Sequence, residues 1–445
     1  MRVTNFTDTY LPRRDGVITS IRTLVRALAE EGHATQTVVP RHPEQPAEEG
    51  LLRLRAVPCG RADLRLSPWL LRGAAADRTL AEVAAHRPDV IHVHTPGPVG
   101  LLGVLAARRL GLPLVQTYHT DLHAYAEVYP FPVPALRVGL RLYARRLGVS
   151  RPPVRRDPMP VWAGAPTGRR AARAGNRLAM LDCANVLLLG EADAVVVPTQ
   201  VVLDRIQLPV PGDRIFLVPT GVAARATTPA AVTQLRERYG LREGDEVVLF
   251  VGRINREKGI GLLVEAFARV LARRPRAKLL LVGAMYEPRW FDQVIRAAGP
   301  GVAARIVHTG EQPPHVVAAA YGTADVFAFA SQTDTQALVL QEASLAGVPS
   351  VLVDAVLLRC GPLGGAGICT APTPADFAAA ITGLLADPAT ARQIGAAAKA
   401  RAVRHTPARY ATAMLDVYAS AVGVHGARTG GLARSGAGGG TLPVG

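Results

Sequence analysis

The chain has 445 residues, 49% of them hydrophobic and 19% charged, enough for two or three domains each with its own core. No apolar run reaches the roughly 18 uninterrupted residues that a membrane-spanning helix needs, which argues against an integral membrane protein. The formal charge of +16, carried by 51 basic residues of which only Lys258, Lys278 and Lys399 are lysines, favours anionic partners: phosphates, acidic lipid surfaces or nucleic acid.

In chain order, Arg2–Phe6 reads as a short first strand and not as the core of a signal peptide, so a cytoplasmic protein is expected. Ile18–Glu30 follows with helical spacing through Ile21, Leu24, Val25 and Leu28, and Gly32 closes it. Strands are expected at Thr35–Val39, Asp89–His94, Pro113–His119, Ala194–Pro198 and Ile215–Val218, with a helix over Gly100–Leu110. A second array opens at Glu246–Gly252 and continues through Lys278–Val282, Arg305–His308, Val326–Ala330 and Ser350–Val353. Short apolar runs of this kind suit parallel strands buried on both faces. Two successive β/α arrays predict an α/β protein of two facing Rossmann-like domains with a cleft between them. The boundaries read as 1–222, 223–405, a C-terminal helix at 406–424 that crosses back, and a Gly-rich disordered tail at 425–445. Cys59, Cys183, Cys360 and Cys369 show no C-x-x-C pair and no zinc spacing, so reduced thiols are expected.

Inside the first domain, 135–177 is an insertion with eleven arginines and one acid, Asp157, interleaved with Tyr143, Met159 and Trp162. Basic amphipathic segments with aromatics lie on anionic membranes, although a chain so rich in arginine also makes a solvated loop of this composition.

The chemistry concentrates in the second array. Arg253 falls where a strand ends and Lys258 just before a helix begins, the carboxyl-end position where open α/β sheets bind ligands. A guanidinium fork and an ammonium point charge converging there suit a diphosphate. Further on, Asp334 and Glu342 stand eight positions apart, which on a helix is slightly more than two turns. The two acids would share a face, suited to sugar and ribose hydroxyls, while N–H groups at the helix start hold the diphosphate. His119 ends a strand of the first array, a place where a lone histidine is often structural. His92 and His94 form an H-x-H pair, but without acids or cysteines nearby it does not read as a metal site. No Walker sequence or G-x-G-x-x-G spacing is present.

Several of these stretches together resemble the retaining GT-B glycosyltransferases of family 4. Asp334 and Glu342 resemble the family's E-x7-E signature with Asp for the first Glu, and Gly252–Gly259 its G-R-x-x-x-x-K-G element. Phe6–Val17 resembles the opening strand and glycine loop, Val218–Val222 the interdomain Pro-Asn-Gly-Val with Thr for Asn, and Leu281–Gly283 and His308–Gly310 the nucleotide-side strand ends. Ala337 replaces the family's usual glycine. The resemblance spans roughly residues 1–420 and implies a hexosyltransferase that takes a nucleotide diphosphate sugar and needs no metal or other cofactor. It implies that Arg253 and Lys258 stabilise the departing diphosphate, Asp334 orients sugar hydroxyls, and His119 contacts the donor sugar. Gly16, Gly283, Thr335, Gln336, Ala337 and Leu338 would bind the donor, with Glu342 on the ribose. No side chain is assigned as nucleophile; the acceptor attacks from the face the leaving group departs, and a phosphate oxygen takes its proton. Phe-Thr-Asp-Thr-Tyr and the Thr-Gln after Asp334 resemble glycolipid-forming members, which implies a lipid acceptor and attachment at the inner face of the cell membrane.

Glycosylation of a soluble natural product, or a GT-B sugar-nucleotide epimerase, fits the same motifs. An Arg-rich nucleic-acid binder fits the charge alone and lacks an accompanying recognition motif.

Overall fold

The computed structural model describes residues 1–58, 65–67, 73–119, 133–148, 180–181 and 183–436. Two compact units divide the chain. One comprises Met1–Pro198, Arg205–Val218 and Ala408–Gly445; the other comprises Thr199–Asp204 and Pro219–Pro407.

The first unit is built on a parallel seven-stranded sheet in the order β3-β2-β1-β6-β7-β8-β9. Its strands are β1 (Arg2–Phe6), β2 (Ala34–Pro40), β3 (Leu51–Leu54), β6 (Val90–Val93), β7 (Leu114–Thr117), β8 (Ala194–Val197) and β9 (Ile215–Leu217); β4 (Val57–Pro58) and β5 (Arg65–Leu66) make a small antiparallel pair outside it. The chain therefore reverses direction of travel across the sheet between β1 and β6. Helix Gly16–Glu30 follows β1; its N-cap is Asp15, whose carboxylate accepts from the Ile18 N–H at 3.0 Å. Helix Pro98–Leu110 follows β6 and begins on Asp8, which accepts from the Val99 N–H at 2.8 Å and the Gly100 N–H at 3.2 Å. Burial pushes the Asp8 carboxyl up, against the pull of those bonds and of Thr95.

The second unit carries a parallel six-stranded sheet in the order β12-β11-β10-β13-β14-β15. The strands are β10 (Glu246–Val251), β11 (Ala277–Val282), β12 (Ile306–His308), β13 (Val326–Phe329), β14 (Ser350–Leu352) and β15 (Ile368–Cys369). This is the 3-2-1-4-5-6 order of a dinucleotide-type doubly wound sheet, with its switch point between β10 and β13. Val247–Phe250, Leu279–Leu281, Phe327 and Val351 are fully buried, as expected for strands covered on both faces.

Four strands escape the sequence pattern: the small pair β4 and β5, and one strand in each large sheet. β3 is an edge strand with three half-exposed residues, and β15 is only two residues long. A further difference is a correction. The tail expected to be disordered from 425 is helical to its twelfth residue, because one helix runs Pro407–Gly436. The Gly-rich composition had suggested otherwise, but His425 and Arg428 are fastened to Asp193, at 3.2 and 2.8 Å. Tyr410, Met414, Val417 and Tyr418 of this helix are buried against Val3, Leu24, Val90 and Val115 of the first unit. Residues 437–445 lie outside the described residues.

Candidate active site

In the second unit, two loops leave adjacent strands at the switch point. Gly252–Gly259 follows β10, and Ala330–Ala337 follows β13. Their closeness requires glycine at 259: φ is 69° there, and a Cβ would come within 2.3 Å of the Ala330 carbonyl oxygen. Gly283, at the end of β11, is demanded in the same way, since a Cβ would lie 1.9 Å from the Gly252 oxygen.

The two loops join three of the predicted residues in one charged cluster. Lys258 Nζ donates to Asp334 Oδ1 at 2.8 Å and lies 3.5 Å from Glu257. Arg253 reaches the same Glu257 at 3.1 Å. Thr333 Oγ1 donates to Glu257 at 3.3 Å, and Asn255 Oδ1 accepts the Lys258 N–H at 3.2 Å. Burial of Asp334 is the largest influence on its acidity and pushes the carboxyl up. The charge and hydrogen bond of Lys258, with Ser331 and Arg253, outweigh it together and hold the carboxyl below its ordinary range. Two cations and two carboxylates thus form a nearly neutral, mostly buried cluster at the strand ends.

The expectation that Asp334 and Glu342 share a helix face does not hold. Helix Leu338–Ala346 begins after Asp334, and its N-cap Ala337 sits in the left-handed region at φ 56°. Asp334 belongs to the loop, which is what lets it turn to Lys258; Glu342 belongs to the helix. The left-handed backbone explains why a glycine suits position 337. Thr335 and Gln336 also precede the helix, so Leu338 is its first residue. Gln336 is used internally: its amide donates to the Thr220 carbonyl at 3.0 Å and accepts the Thr220 N–H at 3.1 Å. The Thr335 carbonyl accepts from the Thr199 hydroxyl.

Glu342 accepts from the Tyr321 hydroxyl at 2.9 Å. Burial pushes its carboxyl up, with Tyr321 and Arg225 pulling the other way. The sequence reading missed Tyr321, Glu257 and Thr333. Helical spacing buries Tyr321 with its neighbours and gives no sign that its hydroxyl meets an acid 21 residues on.

Gly16 and His119 belong to the first unit. Gly16 is the first residue of helix Gly16–Glu30, directly after Asp15. His119 follows β7, and His94 follows the neighbouring β6, so the two rings meet with His119 Nε2 3.1 Å from His94 Nδ1. His94 Nε2 lies 3.1 Å from Asn5 Oδ1. His92 bonds Thr117 at 2.7 Å and Tyr418 at 2.9 Å, so all four ring nitrogens of the H-x-H pair are engaged within the protein. Burial lowers all three histidines, His92 and His94 well below the ordinary value and His119 to about 4, where Asp15 pulls the other way. His94, Thr95, Gln116, His119 and Asn185 line a pocket at these strand ends, with Leu188 and Leu189 as its apolar side. Among the described residues, no group of histidines, cysteines and acids is arranged to hold a metal ion.

The Arg-rich insertion, 135–177, is described only at 135–148; the expectation for 149–177 lies outside the described residues. Helix Val133–Arg146 buries Tyr143 and Ala144 and exposes Arg137, Arg141 and Arg145 beside Val138 and Leu142. No helix among the described residues is long and apolar enough to cross a membrane.

Two Rossmann-like units, one with cations and a helix start at its switch point, are the frame of a GT-B glycosyltransferase. The profile of Glycosyltransferase Family 4 matches residues 14–225, and that of Glycosyl transferases group 1 matches residues 232–401. The chain belongs to this family of glycosyltransferases. It is 27% identical to the alpha-monoglucosyldiacylglycerol synthase of Streptococcus pneumoniae over 79% of this chain and 70% of that one. It is equally 27% identical to the GDP-mannose-dependent alpha-mannosyltransferase of Mycolicibacterium smegmatis, over 80% of each. Among solved structures, the Anabaena protein HepE in complex with UDP-glucose matches with TM-score 0.66 at 17% identity, over 94% of this chain and all of that one. The sucrose-phosphate synthase of Thermosynechococcus elongatus matches with TM-score 0.66 at 22% identity, over 94% and 98%. At these identities the two structures speak for the fold.

Proposed function

We propose that the protein moves a hexose, with retention, from a nucleotide diphosphate sugar to an acceptor hydroxyl on a membrane lipid, at the cytoplasmic face and without a metal. The observation that carries the donor half is the cluster of Arg253, Lys258, Glu257 and Asp334 at the β10–β13 switch point. A leaving diphosphate develops charge during transfer, and cations already held in place stabilise it without reorganising. Lys258 is the hinge of the arrangement, because it touches the carboxylate assigned to the sugar while facing the place assigned to phosphate. Glu342 accepts hydrogen bonds from ribose hydroxyls, and the first N–H groups of helix Leu338–Ala346 face the diphosphate. No protein nucleophile is invoked: the acceptor enters on the face the diphosphate leaves, and a phosphate oxygen takes its proton.

The acceptor half rests on helix Val133–Arg146. Three exposed arginines spaced four apart, flanked by Val138 at 56% and Leu142 at 39% exposure, make a cationic and apolar surface suited to an anionic bilayer. The glycolipid-forming relative supports the same reading.

Thermal unfolding with UDP, GDP, ADP and their common sugar conjugates tests the donor. A ligand at a hundredfold its dissociation constant adds about 2.7 kcal/mol to the folded state. One nucleotide is expected to stabilise the protein and to lose that effect in Glu342→Ala. No response to any nucleotide would sink the reading.

A further inference from the structure

Resting on this transferase reading, we propose that Glu257 is a positioning residue that holds Arg253 and Lys258 by its charge. Through that same charge it disfavours the nucleoside diphosphate product more than the sugar conjugate, so that the product leaves.

Glu257 lies in the single helical turn Arg256–Lys258, four residues after Arg253 and directly before Lys258. Its side chain is 9% exposed and bridges the loops that follow β10 and β13. From the first loop Asn255 Nδ2 donates to Oε2 at 3.4 Å; from the second the Thr333 hydroxyl donates to Oε1 at 3.3 Å. These two uncharged donors fix the carboxylate without using up its charge.

The grip on the two cations is of another kind. One nitrogen of Arg253, Nη2, straddles both carboxylate oxygens at 3.2 and 3.1 Å. A strong guanidinium–carboxylate pair instead sets two nitrogens against two oxygens in a parallel fork. Lys258 Nζ lies 3.5 Å from Oε1, while its close bond, at 2.8 Å, is to Asp334. Glu257 therefore steadies both cations by charge and leaves their hydrogen bonds open to competition from phosphate oxygens. Thr333 and Asn255 keep the carboxylate in place when the cations turn to such a ligand.

The sign of its effect follows from charge. Arg253 and Lys258 are balanced by Glu257 and Asp334, so an arriving anion meets cations that are already matched. A nucleotide diphosphate sugar carries one charge on each phosphate. Once the sugar has gone, the terminal phosphate is a monoester that ionises again near neutral pH. A fixed carboxylate beside the site repels this more highly charged product more than the donor, and burial strengthens the repulsion. A residue serving only the loop's shape would act on both ligands alike. Release of product limits turnover in many transferases, and a built-in anion shortens that step.

Titration calorimetry tests this with whichever of UDP, GDP and ADP stabilises the parent, set against its sugar conjugate. Glu257→Gln keeps the shape and an acceptor for Thr333 while removing the charge. In that variant, with folding checked by circular dichroism, the nucleoside diphosphate should bind about tenfold more tightly and the sugar conjugate about threefold. Weaker binding of both, or an unchanged ratio between them, would overturn the proposal in favour of a role in packing. Should Glu257→Gln not fold, Glu257→Asp, which draws the charge back by one methylene, should shift the ratio the same way by about twofold; an unchanged ratio there would overturn the proposal equally. If the unaltered protein binds no nucleoside diphosphate, the donor reading itself falls and takes this one with it, whereas binding with an unmoved ratio removes the role of Glu257 alone.

Discussion

At Lys258 the same contact serves stability and chemistry, and the two can be separated. Lys258→Ala leaves Asp334 buried with its main cation gone, which is expected to cost about 3 kcal/mol in urea unfolding. Lys258→Ala with Asp334→Asn should recover most of that stability. Transfer should stay down by about 10²–10³-fold in both, as for a lost preorganised donor. Recovery of activity with stability would show that Lys258 acts only as a structural ion. The left-handed Ala337 offers a second test: Ala337→Gly should raise stability by about 1 kcal/mol, since the Cβ penalty disappears. An unchanged urea midpoint would show that the surrounding packing already relieves the strain. Arg253, Lys258 and Asp334 were legible as a spacing of charges around strand ends and a helix start. Glu257 was not, because its role comes from β10 and β13 lying side by side although their loops are far apart in sequence. The helix assigned to Asp334 failed for a related reason: periodicity carries no information about where a left-handed residue starts the turn.

Among the elements, the C-terminal helix shows how composition and contacts can disagree. Glycine and scattered polar residues argue for disorder, yet Asp193, 2% exposed, draws the helix on past 424 by holding both His425 and Arg428. Asp193 also accepts the Leu114 N–H at 3.0 Å, at the start of β7. Replacing His425 and Arg428 together leaves a buried carboxylate without a cation, whereas Asp193→Asn removes the charge and keeps an acceptor. The double replacement should therefore destabilise the protein more than Asp193→Asn, by several kcal/mol against about one. Equal costs in a chemical denaturation series would show that the two side chains add nothing to the backbone bond. The strands of the two large sheets, by contrast, were readable except for β3 and β15, since short runs of Val, Leu and Ile between glycine turns have few other uses in an α/β chain.

For the molecule as a whole, two responses to solution conditions follow. His92, His94 and His119 are held neutral when folded and are free to protonate when unfolded. Below the ordinary histidine value of 6.5 the unfolded chain thus binds more protons, and stability rises with pH up to that point and is lost as pH falls from 6.5 towards 4. Each such group contributes about 1.4 kcal/mol per pH unit in that window, so the melting temperature should drop clearly between neutral and mildly acid buffer. A flat profile would mean that the three histidines take up protons as readily in the folded protein as in the unfolded chain. The second response is to lipid: binding to anionic vesicles should weaken with salt and lose about 1 kcal/mol for each of Arg137, Arg141 and Arg145 neutralised. No binding at low salt would remove the bilayer from the proposed function and leave a soluble acceptor.

The first unit is written in the sequence in pieces, with its last helix nearly two hundred residues beyond β9. A polypeptide released after Val218 would have its sheet but not Tyr410, Met414, Val417 and Tyr418, and would show water a bare apolar face over Val3, Leu24, Val90 and Val115. A peptide spanning 408–436, added separately, would be the missing piece of that core. Synthesis from the N-terminus therefore leaves the first unit waiting, half finished, until the second has left the ribosome.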